Sequence, residues 1–138
     1  MIKRFIIYGL SGLCIEVLWS GFFSFLRGDI RLTGHTYIWM FLIYGMAIFL
    51  EPIHDRIKHL PFILRGGIYT ILIFIAEFTT GFLLRCILGV CPWQYNDTPL
   101  NILGLIAFSY APVWFIVGLL FEKLHYLLKS IEFKQSNY

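Results

Sequence analysis

The chain has 138 residues, of which 59% are hydrophobic and only 14% charged, with a formal net charge of +3. Soluble domains carry about 25% charged residues, so this composition excludes an ordinary water-soluble fold, and at about 20 residues per crossing the length allows about four transmembrane helices and no separate soluble catalytic domain. The positive charge does not indicate nucleic acid, because Lys and Arg stand at the ends of apolar runs and never form a basic stripe.

The first apolar run, Phe5 to Leu26, follows Lys3 and Arg4 as a signal peptide would. It is longer than an apolar signal core, contains Glu16 and lacks a clear small-residue cleavage site, so it reads as a retained helix. Gly9, Gly12, Glu16 and Ser20 fall on one narrow stripe of small and polar side chains. An ionised carboxylate near mid-membrane is costly or becomes neutralised, so Glu16 is expected to face protein or a wet cavity.

The second run, Tyr37 to Leu50, is short. About 14 residues span only ~21 Å at helical rise. The sequence therefore predicts a short spanning helix that borrows His35 and Thr36 or thins the bilayer, with a re-entrant segment as the alternative. Ile53 to Pro61 follows as a polar turn carrying His54, Asp55, Arg56 and His59.

The third run, from about Phe62 to Val90, places Glu77 near its middle, with Thr80, Gly81 and Arg85 on the same face. Arg85 lies two turns outward, too far to pair with Glu77 unless both side chains bend. The stripes of the first and third helices have similar depth and are expected to meet. Glu16 and Glu77 would then build a proton or cation site or the polar end of a substrate pocket, with Arg65 and Arg85 as further candidates. The competing reading makes both carboxylates hydrogen-bonded glue between helices.

Between the third and fourth runs lies CPWQYNDTPLNILGLIAFSYAP. Pro92, Pro99 and Pro112 block a continuous helix while Ile102 to Phe108 stays apolar, which predicts an interfacial or partly re-entrant loop. Trp93 and Tyr95 fit an interfacial aromatic belt. The fourth run covers Ala111 to Leu128. The expected architecture is thus all-α and polytopic, a single four-helix transmembrane domain over residues 1–138.

Lys3, Arg4, Arg56, Lys58, Arg65, Lys123, Lys129 and Lys134 stand on one side, against Arg27, Arg31 and Arg85 on the other. The positive-inside rule places both termini and the Ile53 to Pro61 loop in the cytoplasm. Cys86 and Cys91 approach each other only if the helix ends around Gly89; free thiols are the default for them and for Cys14.

Two Glu-x-x-His pairs, Glu51/His54 and Glu122/His125, close the cytoplasmic ends of the second and fourth helices, each with both side chains on one face. With Glu16 and Glu77 they imitate the inventory of a di-iron bundle. Glu16, however, sits ~16 Å beyond the inner edge of its helix, so no common metal site is expected. Solvated helix ends are the simpler reading. No Gly-x-Ser-x-Gly, Walker phosphate loop, His-Glu-x-x-His or dinucleotide fingerprint is present, and no cofactor is expected.

The segments GLSGLCIEVLW, YIWMFLIYGMAIFLEP, EFTTGFLLRCILGVCPWQYN and GLIAFSYAPVWFIVGLLFE, in this order from Tyr8 to Leu124, resemble the Putative ABC-transporter type IV, or CmpB-like, membrane family, which includes the vertebrate transmembrane protein 229 group. The resemblance implies a four-helix membrane protein. It puts Glu16, Glu51, Glu77, Arg85, Cys91, Pro92, Trp93, Tyr95 and Glu122 on the family's motif positions, with Tyr110 in the same outer motif region. It carries no established activity, and vertebrate members lack the counterparts of His54 and His125. A chain without a Walker motif and with a nine-residue central loop could serve an ABC system only as a subunit.

Three functions compete. The first is a permease-like component completed by a homo-oligomer or a partner membrane or ATPase subunit, with Glu16 and Glu77 lining a polar cavity. The second is an intramembrane enzyme acting on a lipid or isoprenoid, with Arg65 or Arg85 holding an anionic headgroup. The third is a structural or assembly protein whose glutamates fix helix packing. The first is favoured.

Overall fold

The computed structural model describes residues 1–135. Among them, four helical stretches are long and apolar enough to cross a membrane: Ile2–Leu26, Ile38–Ile57, Phe62–Leu88 and Phe108–Lys134. No more than a third of any span's apolar window is buried within the chain, and Leu18, Ile63, Ile75, Ile87 and Ile116 point outward. Helices that satisfy their own backbone groups and turn aliphatic side chains outward are built for hydrocarbon. The protein is an all-α, multi-pass membrane protein. Its chain forms two compact units, Met1–Leu50 and Glu51–Tyr138.

In the first unit, α1 (Ile2–Leu26) runs antiparallel to α2 (Ile38–Gly45) and the 3₁₀ turn Met46–Leu50 that follows it. The small-residue stripe of α1 is what lets them approach. A Cβ at Gly12 would lie 2.0 Å from the Tyr44 ring, and one at Gly9 would lie 2.7 Å from Phe41. Packing of this closeness is how apolar helices associate where lipid competes for every aliphatic contact. At the far end of the pair the Ser20 hydroxyl donates to the His35 carbonyl and accepts from the His35 N–H, both at 2.8 Å.

The short second run gains length in the direction opposite to that expected. Helical structure continues from Ile38 through the 3₁₀ turn into α3 (Glu51–Ile57), so the predicted Ile53 to Pro61 loop shrinks to residues 58–61. Pro52 sits in the first turn of α3, where its missing N–H costs nothing, and the tighter 3₁₀ turns precede it.

In the second unit, α4 (Phe62–Leu88) packs antiparallel against α5 (Ala111–Gln135). Gly66 faces Phe115 and Gly118 faces Tyr69, each too close for a Cβ. Gly89, at φ 75°, ends α4, and the chain then turns back. A two-residue hairpin, β1 (Asn101–Ile102) with β2 (Ile106–Ala107), pairs Asn101 with Ala107 and Ile102 with Ile106. Its turn requires Gly104, which has φ 67° and whose added Cβ would lie 2.0 Å from Asn96 Oδ1. A 3₁₀ turn, Phe108–Tyr110, leads into α5.

Candidate functional site

The loop between α4 and α5 folds back along α4. Cys91, Trp93, Leu105, Ile106 and Ala107 are buried, with Trp93, Leu105 and Cys91 lying over Gly81. The Trp93 indole N–H donates to the Leu105 carbonyl at 3.0 Å. Trp93 is therefore a packing and hydrogen-bonding residue of the loop, not the belt residue its position suggested; a buried indole needs an acceptor and finds one in the hairpin.

Glu77, 5% exposed, accepts a 2.7 Å hydrogen bond from the Tyr95 hydroxyl. Eleven residues, or about 16 Å, separate Glu77 from Leu88 at the end of α4, so Tyr95 brings the loop well inside the helix end. The Tyr95 ring lies 5.1 Å from Tyr110, and Tyr110 lies 6.5 Å from Trp114. Arg85 does not turn toward Glu77 but donates to the Leu103 carbonyl at 3.0 Å, holding the hairpin. Thr80 shares the face of Glu77 yet bonds back to the Ala76 carbonyl of its own helix, at 2.7 Å. Pro92 follows Cys91 at the start of the loop. Cys86 is exposed, Cys91 is buried and both are free thiols, as is Cys14.

Glu16 is half-buried in the first unit. Its carboxylate accepts from the Thr36 hydroxyl at 2.5 Å and from Tyr44 at 3.0 Å. Thr36 thus serves Glu16 rather than lengthening the second helix. Sequence reasoning found both glutamates and missed the hydroxyls that hold them, except for Tyr95. A tyrosine or threonine beside an apolar run carries no mark of the helix it faces.

The largest revision concerns the helix ends. His54 and His125 are 1% and 2% exposed, among the most buried side chains of the chain, and not solvated termini. Their rings stack with centroids 5.6 Å apart, and Tyr69 meets His54 edge-on at 4.7 Å. His125 Nδ1 lies 3.5 Å from Glu51 Oε1 and its Nε2 lies 3.3 Å from Asp55 Oδ1. Asp55 in turn takes the Lys129 ammonium at 2.8 Å. Glu122 accepts from Tyr69 at 2.6 Å and from Arg65 Nε at 3.0 Å, while Arg65 Nη1 also caps the carbonyls of Lys58 and Leu60.

The reason is spacing. Glu-x-x-His puts both side chains on one helix face, and in α3 and α5 those faces turn toward each other and toward Arg65 and Tyr69 one turn apart on α4. Both ring nitrogens of His54 lack a hydrogen-bond partner among the described residues. Such orphaned buried groups cost about 1–3 kcal/mol each. No three His, Cys, Asp or Glu side chains among the described residues are placed to hold a metal ion together.

Outside the spans, two groups among the described residues have shifted acidity. Asp29, in the turn after α1, is held down at about 2 by hydrogen bonds from the Thr33 side chain, the Arg31 N–H and Ser24. Burial pushes the Cys91 thiol up, opposed by the Trp93 N–H.

A family model described as Putative ABC-transporter type IV matches residues 4–137. No solved structure matches the chain.

Proposed function

Because the chain belongs to the Putative ABC-transporter type IV family, we propose that it is a permease-like component of a transport system in the cell membrane, acting with an ATPase subunit or as a homo-oligomer. The observation that carries this reading is Glu77, a buried mid-helix carboxylate to which a returning loop supplies Tyr95. Carboxylates at such depth are expensive and mark ion, proton or substrate pathways. Glu16, held by Thr36 and Tyr44, is the corresponding group of the first unit. These 138 residues contain no Walker phosphate loop, so nucleotide-driven motion would come from another subunit. The excess of Lys and Arg on one set of helix ends supports cytoplasmic termini.

Both guanidinium groups offered for an anionic headgroup are engaged, Arg65 with Glu122 and Arg85 with Leu103, and this weighs against the lipid-enzyme reading. The test is affinity purification from native membranes in mild detergent with identification of the retained proteins. Stoichiometric recovery of a nucleotide-binding subunit supports the proposal. Recovery of this chain as a monomer, with no other subunit, contradicts it.

A further inference from the structure

We propose that the two Glu-x-x-His pairs form a proton-binding site, in which the stacked rings of His54 and His125, enclosed by α3, α4 and α5, take up and release one proton as a unit.

His125 carries the argument furthest. A carboxylate faces each of its ring nitrogens, Glu51 at 3.5 Å and Asp55 at 3.3 Å. Only the Nε2–Asp55 contact has hydrogen-bond geometry, the Nδ1–Glu51 approach being one of charge, and an imidazolium is attracted by both carboxylates whereas a neutral ring gains from one at most. His54 is stacked on that ring, and neither of its nitrogens has a partner among the described residues. Buried polar atoms are rarely left without partners. Two imidazolium rings stacked 5.6 Å apart would repel, so the pair holds one proton in preference to two.

The surroundings select the ligand. Glu51 and Asp55 on α3 and Glu122 on α5 repel an anion, while Arg65 and Tyr69 on α4 already hold Glu122. Lys129 is committed to Asp55, and the Tyr126 hydroxyl donates to the His54 carbonyl. No three potential ligands among the described residues converge on a metal position. What remains is a proton. It has an entry: the Asp55 side chain is 39% exposed and contacts His125. Uptake places the proton on a ring-nitrogen lone pair and breaks no other bond; release returns it through Asp55. Histidine and carboxylate chains of this kind carry protons in membrane pumps and transporters.

This inference rests on α3, α4 and α5 alone and is independent of ATPase capture. The chain's four histidines make it testable, since His35 and His59 are exposed and serve as internal references. Histidine-selective ¹⁵N NMR of the full chain in nanodiscs, from about pH 8 to about pH 5, reads each ring. The His54 and His125 signals should move together and account for one proton between them. His125→Gln should shift the His54 midpoint by about one pH unit or more. His59→Gln should leave it in place. If His125→Gln does not fold, Asp55→Asn at the exposed edge should shift the shared midpoint. Rings that keep one protonation state throughout, as a pair bridged only by trapped water would, or rings that titrate independently, overturn the proposal. A captured ATPase beside fixed histidines would leave the transport reading standing and remove this one.

Discussion

The Tyr95 hydroxyl meets the Glu77 carboxylate at 2.7 Å across eighteen residues of chain, tying the α4–α5 loop to the middle of α4. Trp93 and Arg85 secure the same loop through the carbonyls of Leu105 and Leu103. Three side chains thus convert a proline-broken segment into an ordered one that places a phenol on a buried carboxylate.

Tyr95→Phe removes one donor without changing shape. It should destabilise the protein by about 1 kcal/mol, the usual scale for a side-chain hydrogen bond inside a membrane. Reversible unfolding in mixed micelles, with Glu77→Leu, which removes the acceptor, completing a double-mutant cycle, should give a coupling of similar size. Additive effects would show that the pair does not interact.

Gly12→Ala should loosen the first unit, because the new Cβ falls 2.0 Å from Tyr44, and overpacking of this kind costs about 1–3 kcal/mol. Gly67→Ala is the control. Its Cβ would meet nothing within 4 Å, so unfolding measurements should show a change within about 0.5 kcal/mol.

How much of this was legible in the sequence depends on where each partner lies. Helix existence needed only the chain's own hydropathy, and the first, third and fourth runs appear where expected. The continuation of the second through Glu51, Pro52, His54 and Asp55 was hidden, because those residues read as a polar turn until α5 supplies His125 and Lys129 opposite them. The Glu-x-x-His spacing was visible; the burial was not, since it is made by faces far apart in sequence. The partners of Trp93 and Arg85 were hidden for the same reason, being main-chain carbonyls of a hairpin too short to predict.

The turn after α1 predicts an acid transition. Asp29 titrates at about 2 instead of 3.8 because Thr33, Arg31 and Ser24 stabilise its ionised form. A depressed folded-state value contributes stability above pH 3.8 that is lost as pH falls toward 2. Thermal unfolding should show a decline in that window that Asp29→Asn abolishes, with the variant's melting temperature lower than wild type at neutral pH.

Thiol reactivity should separate the cysteines. Cys91 is buried with its thiol pushed up, whereas Cys14 and Cys86 are exposed. The thiolate is the reactive form. In detergent, Cys86 at the end of α4 should label readily with N-ethylmaleimide and Cys91 only after unfolding. Mass mapping that finds Cys91 labelled first would contradict the packed loop.

The most direct test of the central claim compares wild type with Glu16→Gln and Glu77→Gln, purified alike in mild detergent, with folding checked by circular dichroism and bound lipids, small molecules and proteins quantified by mass spectrometry. The transport reading predicts that a bound species present in wild type is lost from one or both variants while helicity and stability persist. Identical bound species in well-folded variants would contradict it and leave the two carboxylates as helix-packing groups.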